Sequence, residues 1–149
     1  MQALEISRTG MDVEWRRLEI VAQNIANAST AGTAAGQAYQ PLRLLSGPRT
    51  QGAQSRFSQI LSAADPKANP PATGVEVYGV EAESTQPRKV YDPTHPQADP
   101  DGYVSYPDID QAGEMTTMIK TSRAYEANVV AANMARQMYA KALDLGRKS

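Results

Sequence analysis

The only imidazole in the chain is His95, set among carboxylates and turn residues in Tyr91-Asp92-Pro93-Thr94-His95-Pro96-Gln97-Ala98-Asp99-Pro100-Asp101-Gly102. Asp92, His95, Asp99 and Asp101 are donor types that a cation would use. Asp99-Pro100-Asp101-Gly102 superficially has the look of a calcium loop, but the regular alternating ligands and the closing bidentate glutamate are missing. Asp, Pro and Gly are also the residues from which turns are built, so the segment reads as turns and receives no metal. Nucleophilic chemistry has as little support: Ser7, Ser29 and Ser122 have one imidazole between them, and nothing in the sequence places it beside any of them. Without cysteine there is no disulfide, no thiolate nucleophile and no cysteine-ligated zinc. There is no glycine-rich phosphate loop, nucleophile elbow or paired-histidine motif. We therefore expect no catalytic residue, no metal, no cofactor and no enzyme.

The remaining functions are those of surfaces. A net charge of -1, with both signs mixed along the chain, gives no footprint for nucleic acid or an anionic membrane. No stretch approaches the roughly 18 apolar residues of a membrane span. The opening Met-Gln-Ala-Leu-Glu-Ile-Ser-Arg lacks the basic start and unbroken apolar run of a cleaved secretion signal, so export, if it occurs, is expected to keep the first residues. Absence of cysteine suits an oxidising space and is equally compatible with the cytoplasm. Phe57 and Trp15 are the only members of their types, and Ala, Val and Met carry most of the apolar surface. The expected core is thin.

The elements that must position such surfaces are divided by proline. All ten prolines lie between Pro41 and Pro107, and proline inside a helix costs about 3 kcal/mol. The ends are therefore read as helix and the middle as strand and turn. From Ala3 to Ala28, Leu4, Met11, Leu18 and Ile25 recur at heptad spacing, joined on the same side by Trp15, Val21 and Ala22. A second series, Ile6, Val13 and Ile20, is offset by about 200° around the helix. Periodicity alone leaves two readings of this doubled face: burial inside a larger bundle, or a helix wedged between its own partner and a neighbouring chain. The chain offers no further long helices to complete a bundle, which favours the second. Asn27-Ala28-Ser29-Thr30-Ala31-Gly32 reads as the helix stop, and a helix-ending amide is preferred over the glycosylation sequon that Asn27 also fits.

The second helix is expected to run about 30 residues from Glu114, or roughly 45 Å, past a compact globule of this length with a radius of gyration of about 15 Å. One face carries Met115, Met118, Ser122, Tyr125, Val129, Ala132 and Tyr139; another carries Ala127, Val130, Ala131, Met134, Met138, Ala142 and Leu145. Between the helices, short strands are expected at Leu42 to Leu45, at Val75 to Glu83 with a candidate bulge at Gly79, at Lys89 to Tyr91, and at Tyr103 to Tyr106 after the Asp101-Gly102 turn. Arg49 to Ala72, within a broader segment near residues 46–73, is poor in large apolar residues and is read as a mobile loop. The fold class is mainly α with a small β insert. Its regions are a helical 1–30, a Pro-rich strand and loop insert 31–108, and a helical 109–149.

Arg17-Leu18-Glu19-Ile20-Val21-Ala22-Gln23-Asn24-Ile25-Ala26-Asn27-Ala28-Ser29-Thr30 resembles the N-terminal signature of bacterial flagellar rod, hook and hook-associated proteins. Glu114-Met115 with Ser122-Arg123-Ala124-Tyr125-Glu126-Ala127-Asn128-Val129 resembles their C-terminal signature, and the motif positions carried over are Asn24, Asn27, Glu114, Met115, Arg123, Tyr125 and Asn128. Within that family, Val90 to Pro107 is similar to the proximal-rod C class of basal-body rod subunit. The likeness covers about residues 10 to 30 and 75 to 146. Departures are Asp108, where the family usually has asparagine, and Gln111-Ala112-Gly113, where a more apolar, acidic approach to the helix is common.

The resemblance implies a structural subunit of the proximal rod in the periplasmic part of the flagellar basal body. Such a subunit is exported by the flagellar type III apparatus without a cleaved signal, polymerises helically into the drive shaft and export channel, and is required for motility. It implies an antiparallel coiled coil of the two terminal helices, whose ends order only on assembly. It also implies partners: copies of itself, other proximal and distal rod subunits, and the adaptor joining rod to MS ring. The expected assembly surface comprises Leu4, Ile6, Met11, Val13, Trp15, Leu18, Ile20 and Ile25 on the first helix, and Met118, Tyr125, Val129, Val130, Met134, Met138 and Leu145 on the second. The alternatives are another axial subunit of the rod and hook family, or a soluble helical adaptor or regulator that binds one partner through the same faces.

Overall fold

The computed structural model describes residues 2–32, 37–49 and 74–146. The chain is mainly helical with a β insert: α1 (Gln2–Asn27), β1 (Leu42–Pro48), β2 (Val75–Ala82), β3 (Arg88–Tyr91), β4 (Tyr103–Tyr106) and α2 (Gln111–Gly146). The proline-free ends are the helices, as their composition dictates. α1 stops at Asn27, whose side-chain amide donates to the Gln23 carbonyl at 2.9 Å. α2 begins earlier than Glu114 because Asp110 caps it: the Ala112 N–H donates to Asp110 Oδ1 (3.1 Å), and the Glu114 N–H donates to the Asp110 carbonyl (2.9 Å).

α1 and α2 pack antiparallel. Asn24 reaches Glu114, the Trp15 ring lies 6.2 Å from that of Tyr125, and Gly10 abuts Asn128. A Cβ on Gly10 would come within 2.7 Å of Asn128 Oδ1, so glycine is what lets the helices approach there. α2 has 36 residues and α1 has 26, lengths of about 54 and 39 Å at 1.5 Å per residue.

The insert forms two antiparallel ribbons. In the first, Leu45 faces Gly79 and Ser46 faces Val77, so Tyr78 is the extra residue of a bulge beside Gly79. β1 runs on through Ser46-Gly47-Pro48, farther than its apolar run suggests. Residues 46–48 are thus strand and not part of a mobile segment, and residues 50–73 of that segment lie outside the described residues. This ribbon lies along one side of α1: Thr9 Oγ1 accepts from the Val75 N–H (3.2 Å), Arg17 donates to Ser46 Oγ (2.9 Å), and Asn24 Nδ2 donates to the Leu42 carbonyl (3.0 Å).

In the second ribbon Tyr91 and Tyr103 meet edge to face at 5.3 Å, and the Arg88 guanidinium lies 5.9 Å from the Tyr106 ring centre. Its turn closes on Gly102, whose φ of +83° favours glycine. The ribbon is tied to the exit of α1 by the Gly32 N–H donating to the Ser105 carbonyl at 2.7 Å. Among the described residues the buried hydrophobic side chains are those of Val13, Ile20, Val21, Ala28, Val104 and Ala135. None of these is larger than isoleucine, so the core that the described residues build is thin.

Candidate assembly surface

The residues that invited a metal reading build the β3–β4 turn. Asp92 Oδ1 accepts from the Thr94 N–H (3.1 Å) and hydroxyl (2.7 Å), and those bonds hold its carboxyl below the usual aspartate range. Asp99 Oδ1 accepts from the N–H groups of Asp101 (3.0 Å) and Tyr103 (2.8 Å), and His95 Nδ1 accepts from the Gln97 N–H (3.1 Å). Among the described residues no cluster of His, Asp and Glu side chains is arranged to hold a metal ion, and no helix is long and apolar enough to cross a membrane.

The densest polar site lies where α1 ends and α2 begins. Asn24 is fully buried. Its Oδ1 accepts from the Leu42 N–H (2.9 Å) and the Tyr39 hydroxyl (2.9 Å), while Nδ2 donates to the Leu42 carbonyl (3.0 Å) and to Glu114 Oε2 (3.4 Å). The Glu114 side chain, 3% exposed, is paired with Arg43 of β1, which also bonds Glu83 Oε2 at 2.8 Å. Burial opposes the charge on Arg43, but its bonds to Glu114 and Glu83 outweigh that and hold its proton more tightly than usual. Tyr39 has its phenol pushed up by burial and then by the Glu114 carboxylate. Two motif residues from opposite ends of the chain thus meet through a strand of the insert. Asn24 and Glu114 are singled out by motif. Tyr39, Arg43 and Glu83 are not, and the only sign of Arg43 is that it interrupts the apolar run Leu42-Leu44-Leu45.

Along the helix pair, Ser7, Met11, Glu14, Leu18, Val21 and Ile25 of α1 are buried or half-buried at alternating spacings of four and three. On α2 the same is true of Glu114, Met118, Thr121, Tyr125, Asn128, Ala132 and Ala135. Leu4 and Val129 are half-buried as well, as is Asn27, whereas Arg123 is exposed. The two α1 series have different surroundings. Val13 and Ile20 are buried on the side that carries the β1–β2 ribbon, and Val13 lines a groove with Ser46, Gly47, Pro48 and Val75. Ile6 and Trp15 remain exposed. Periodicity marked the second series as apolar without showing that the chain covers most of it with its own insert.

α2 divides differently. Its second face stays open: Val130 is 56% exposed, Met134 60%, Met138 64% and Leu145 73%, with Met115 and Ile119 exposed on the preceding turns. Burial ends at Ala135, and every residue from Arg136 to Gly146 is exposed. The last turns of α2 run beyond the start of α1 by about 15 Å. The arrangement offers a long apolar stripe suited to another helix.

Residues 4–32 match the family described as flagella basal body rod protein, and residues 101–145 match the flagellar basal body rod FlgEFG protein C-terminal family. The chain is 32% identical over 145 residues to the flagellar basal-body rod protein FlgC of Borreliella burgdorferi, covering 95% of this chain and 93% of the relative. It is 31% identical over 147 residues to FlgC of Bacillus subtilis, covering 97% of each chain. It is 32% identical over 148 residues to FlgC of Salmonella typhimurium, covering 99% and 98%.

Proposed function

Because the chain belongs to the FlgC family of flagellar basal-body rod proteins, we propose that it acts in the proximal segment of the rod, polymerising helically with copies of itself and with other rod subunits. It is a structural subunit of the basal body and not an enzyme. In this reading α1 and α2 form an antiparallel coiled coil, supported by the alternating four-and-three spacing of their buried positions. Regions 1–30 and 109–149 polymerise, and region 31–108 distinguishes this subunit from other axial proteins. The chain leaves the cytoplasm through the flagellar type III apparatus, keeps its first residues, and meets the adaptor at the MS ring and the distal rod subunits along the axis.

The observation that carries the proposal is the open apolar face of α2, Val130, Met134, Met138 and Leu145. A helix whose second face stays in water needs neighbours. Met118, Tyr125 and Val129, with Leu4, Met11, Leu18 and Ile25, serve the intrachain pair, while the α2 stripe with Trp15 and Ile6 serves adjacent subunits. Val13 and Ile20 support both by holding α1 to the insert. Reconstruction of purified basal bodies is expected to contain this chain in the proximal rod, with intact residue 1 by mass spectrometry. Its absence from basal bodies, with a soluble cytoplasmic pool, would favour a helical adaptor.

A further inference from the structure

We infer that Asn24, Glu114 and Arg43 form a register lock, which fixes where α2 stops sliding along α1. Helix length alone does not fix that position. Asn24 lies against Glu114 and Gly10 against Asn128, so a slide of one heptad would set Asn24 against Thr121 and the start of α1 against residues near 143. Those residues are still on α2, which has 36 residues to the 26 of α1. No overlap would be lost.

Packing discriminates weakly between the two positions. The paired face of α2 is built from Thr121, Ala132 and Ala135 between larger residues, and it continues past Ala135 with Tyr139 and Ala142. After such a slide Ala142 would take the place of Ala135 and Ala135 that of Asn128, side chains no larger than those they replace. The irregular link 107–110 can reach about 14 Å at full extension, against about 10.5 Å for the rise of a heptad.

The polar network is where the two registers differ. Asn24 uses both acceptor and both donor positions, three of them on residues of the Tyr39 to Leu42 segment and one on Glu114. Arg43, one residue farther along, pairs with the buried Glu114 carboxylate. Because β1 is bound to α1 at Leu42 and Ser46, Arg43 travels with α1. A slide would therefore separate Glu114 from both partners at once and leave Asn24 with an unfilled donor. Buried polar groups whose partners exist in only one alignment select register in a helical seam.

The chain has no cysteine, so introduced pairs report cleanly. Gly10→Cys with Asn128→Cys reads the native register, and Gly10→Cys with Ala135→Cys reads the slid one, the second carrying Asn128→Ala so that in neither does the Asn128 amide meet the new Cβ. In basal bodies isolated from cells making the full-length chain, the 10–128 pair is expected to oxidise and the 10–135 pair to stay reduced. With Asn24→Leu and Glu114→Leu added, the 10–135 disulfide is expected to rise to within about threefold of the native one. If 10–128 remains the sole disulfide in that background, the lock is refuted. Should the altered chain fail to enter basal bodies, the same two pairs are read in the purified full-length chain folded in trimethylamine oxide, which favours burial, with the same two outcomes. Presence of the parent chain in basal bodies tests the rod assignment separately.

Discussion

At the residue scale the strongest dependence is that of Glu114 on Arg43. A carboxylate 3% exposed that loses its cation must either stay buried and unpaired or pull away into water. Removing the partner of a buried charge costs more than removing both groups. Arg43→Met is expected to destabilise the full chain by about 2–3 kcal/mol, and Arg43→Met with Glu114→Leu by less, measured by urea denaturation in a stabilising osmolyte. Tyr39 supplies a pH dependence. Its phenol is held protonated above the ordinary value by burial and by Glu114, whereas an unfolded tyrosine ionises near pH 10. The unfolded chain then gives up this proton first, so the contribution is complete below about pH 10 and is lost as pH rises above it. Tyr39→Phe is expected to flatten that alkaline loss, measured by urea denaturation in the same osmolyte at rising pH.

At the scale of elements, apolar residues of equal hydropathy have opposite jobs. Val13 is buried on the ribbon side of α1, and Val130 lies open on α2. Val13→Asp is expected to cost the isolated chain several kcal/mol, since an unpaired charge in a buried position has no compensation. Val130→Asp is expected to leave the monomer's stability within about 0.5 kcal/mol while abolishing rod assembly and swimming. Urea melts in the same stabilising osmolyte, and motility assays, on both variants check the contrast. This difference marks the limit of what could be read in the sequence. The two helices, their stops, the bulge near Gly79 and the turns around Asp92 and Asp99 follow from proline placement, periodicity and turn chemistry, all of which are local. That Val13 and Ile20 face the insert, and that Asn24 meets a Glu114 held by Arg43, depends on contacts across up to 90 residues, for which one chain carries no pattern. Strand β1 outran its expected end because pairing to β2 overrides the weak propensity of Ser46-Gly47-Pro48.

At the scale of the molecule, the thin core has a thermodynamic consequence. Of the 36 residues of α2, only Glu114, Thr121 and Ala135 are fully buried, and an isolated helix without tertiary partners is marginal in water. The purified monomer is expected to show low helicity by circular dichroism and a broad melt, and to gain helix on assembly; a highly helical, sharply melting monomer would contradict this. The unequal helix lengths carry a different consequence. Because bare α2 emerges at one tip only, the molecule has an arrow. Copies joined tip to tip would close on themselves, while copies joined tip to base repeat without limit. A shaft built in the second way has two unlike ends, so newcomers can tell the growing end from the root.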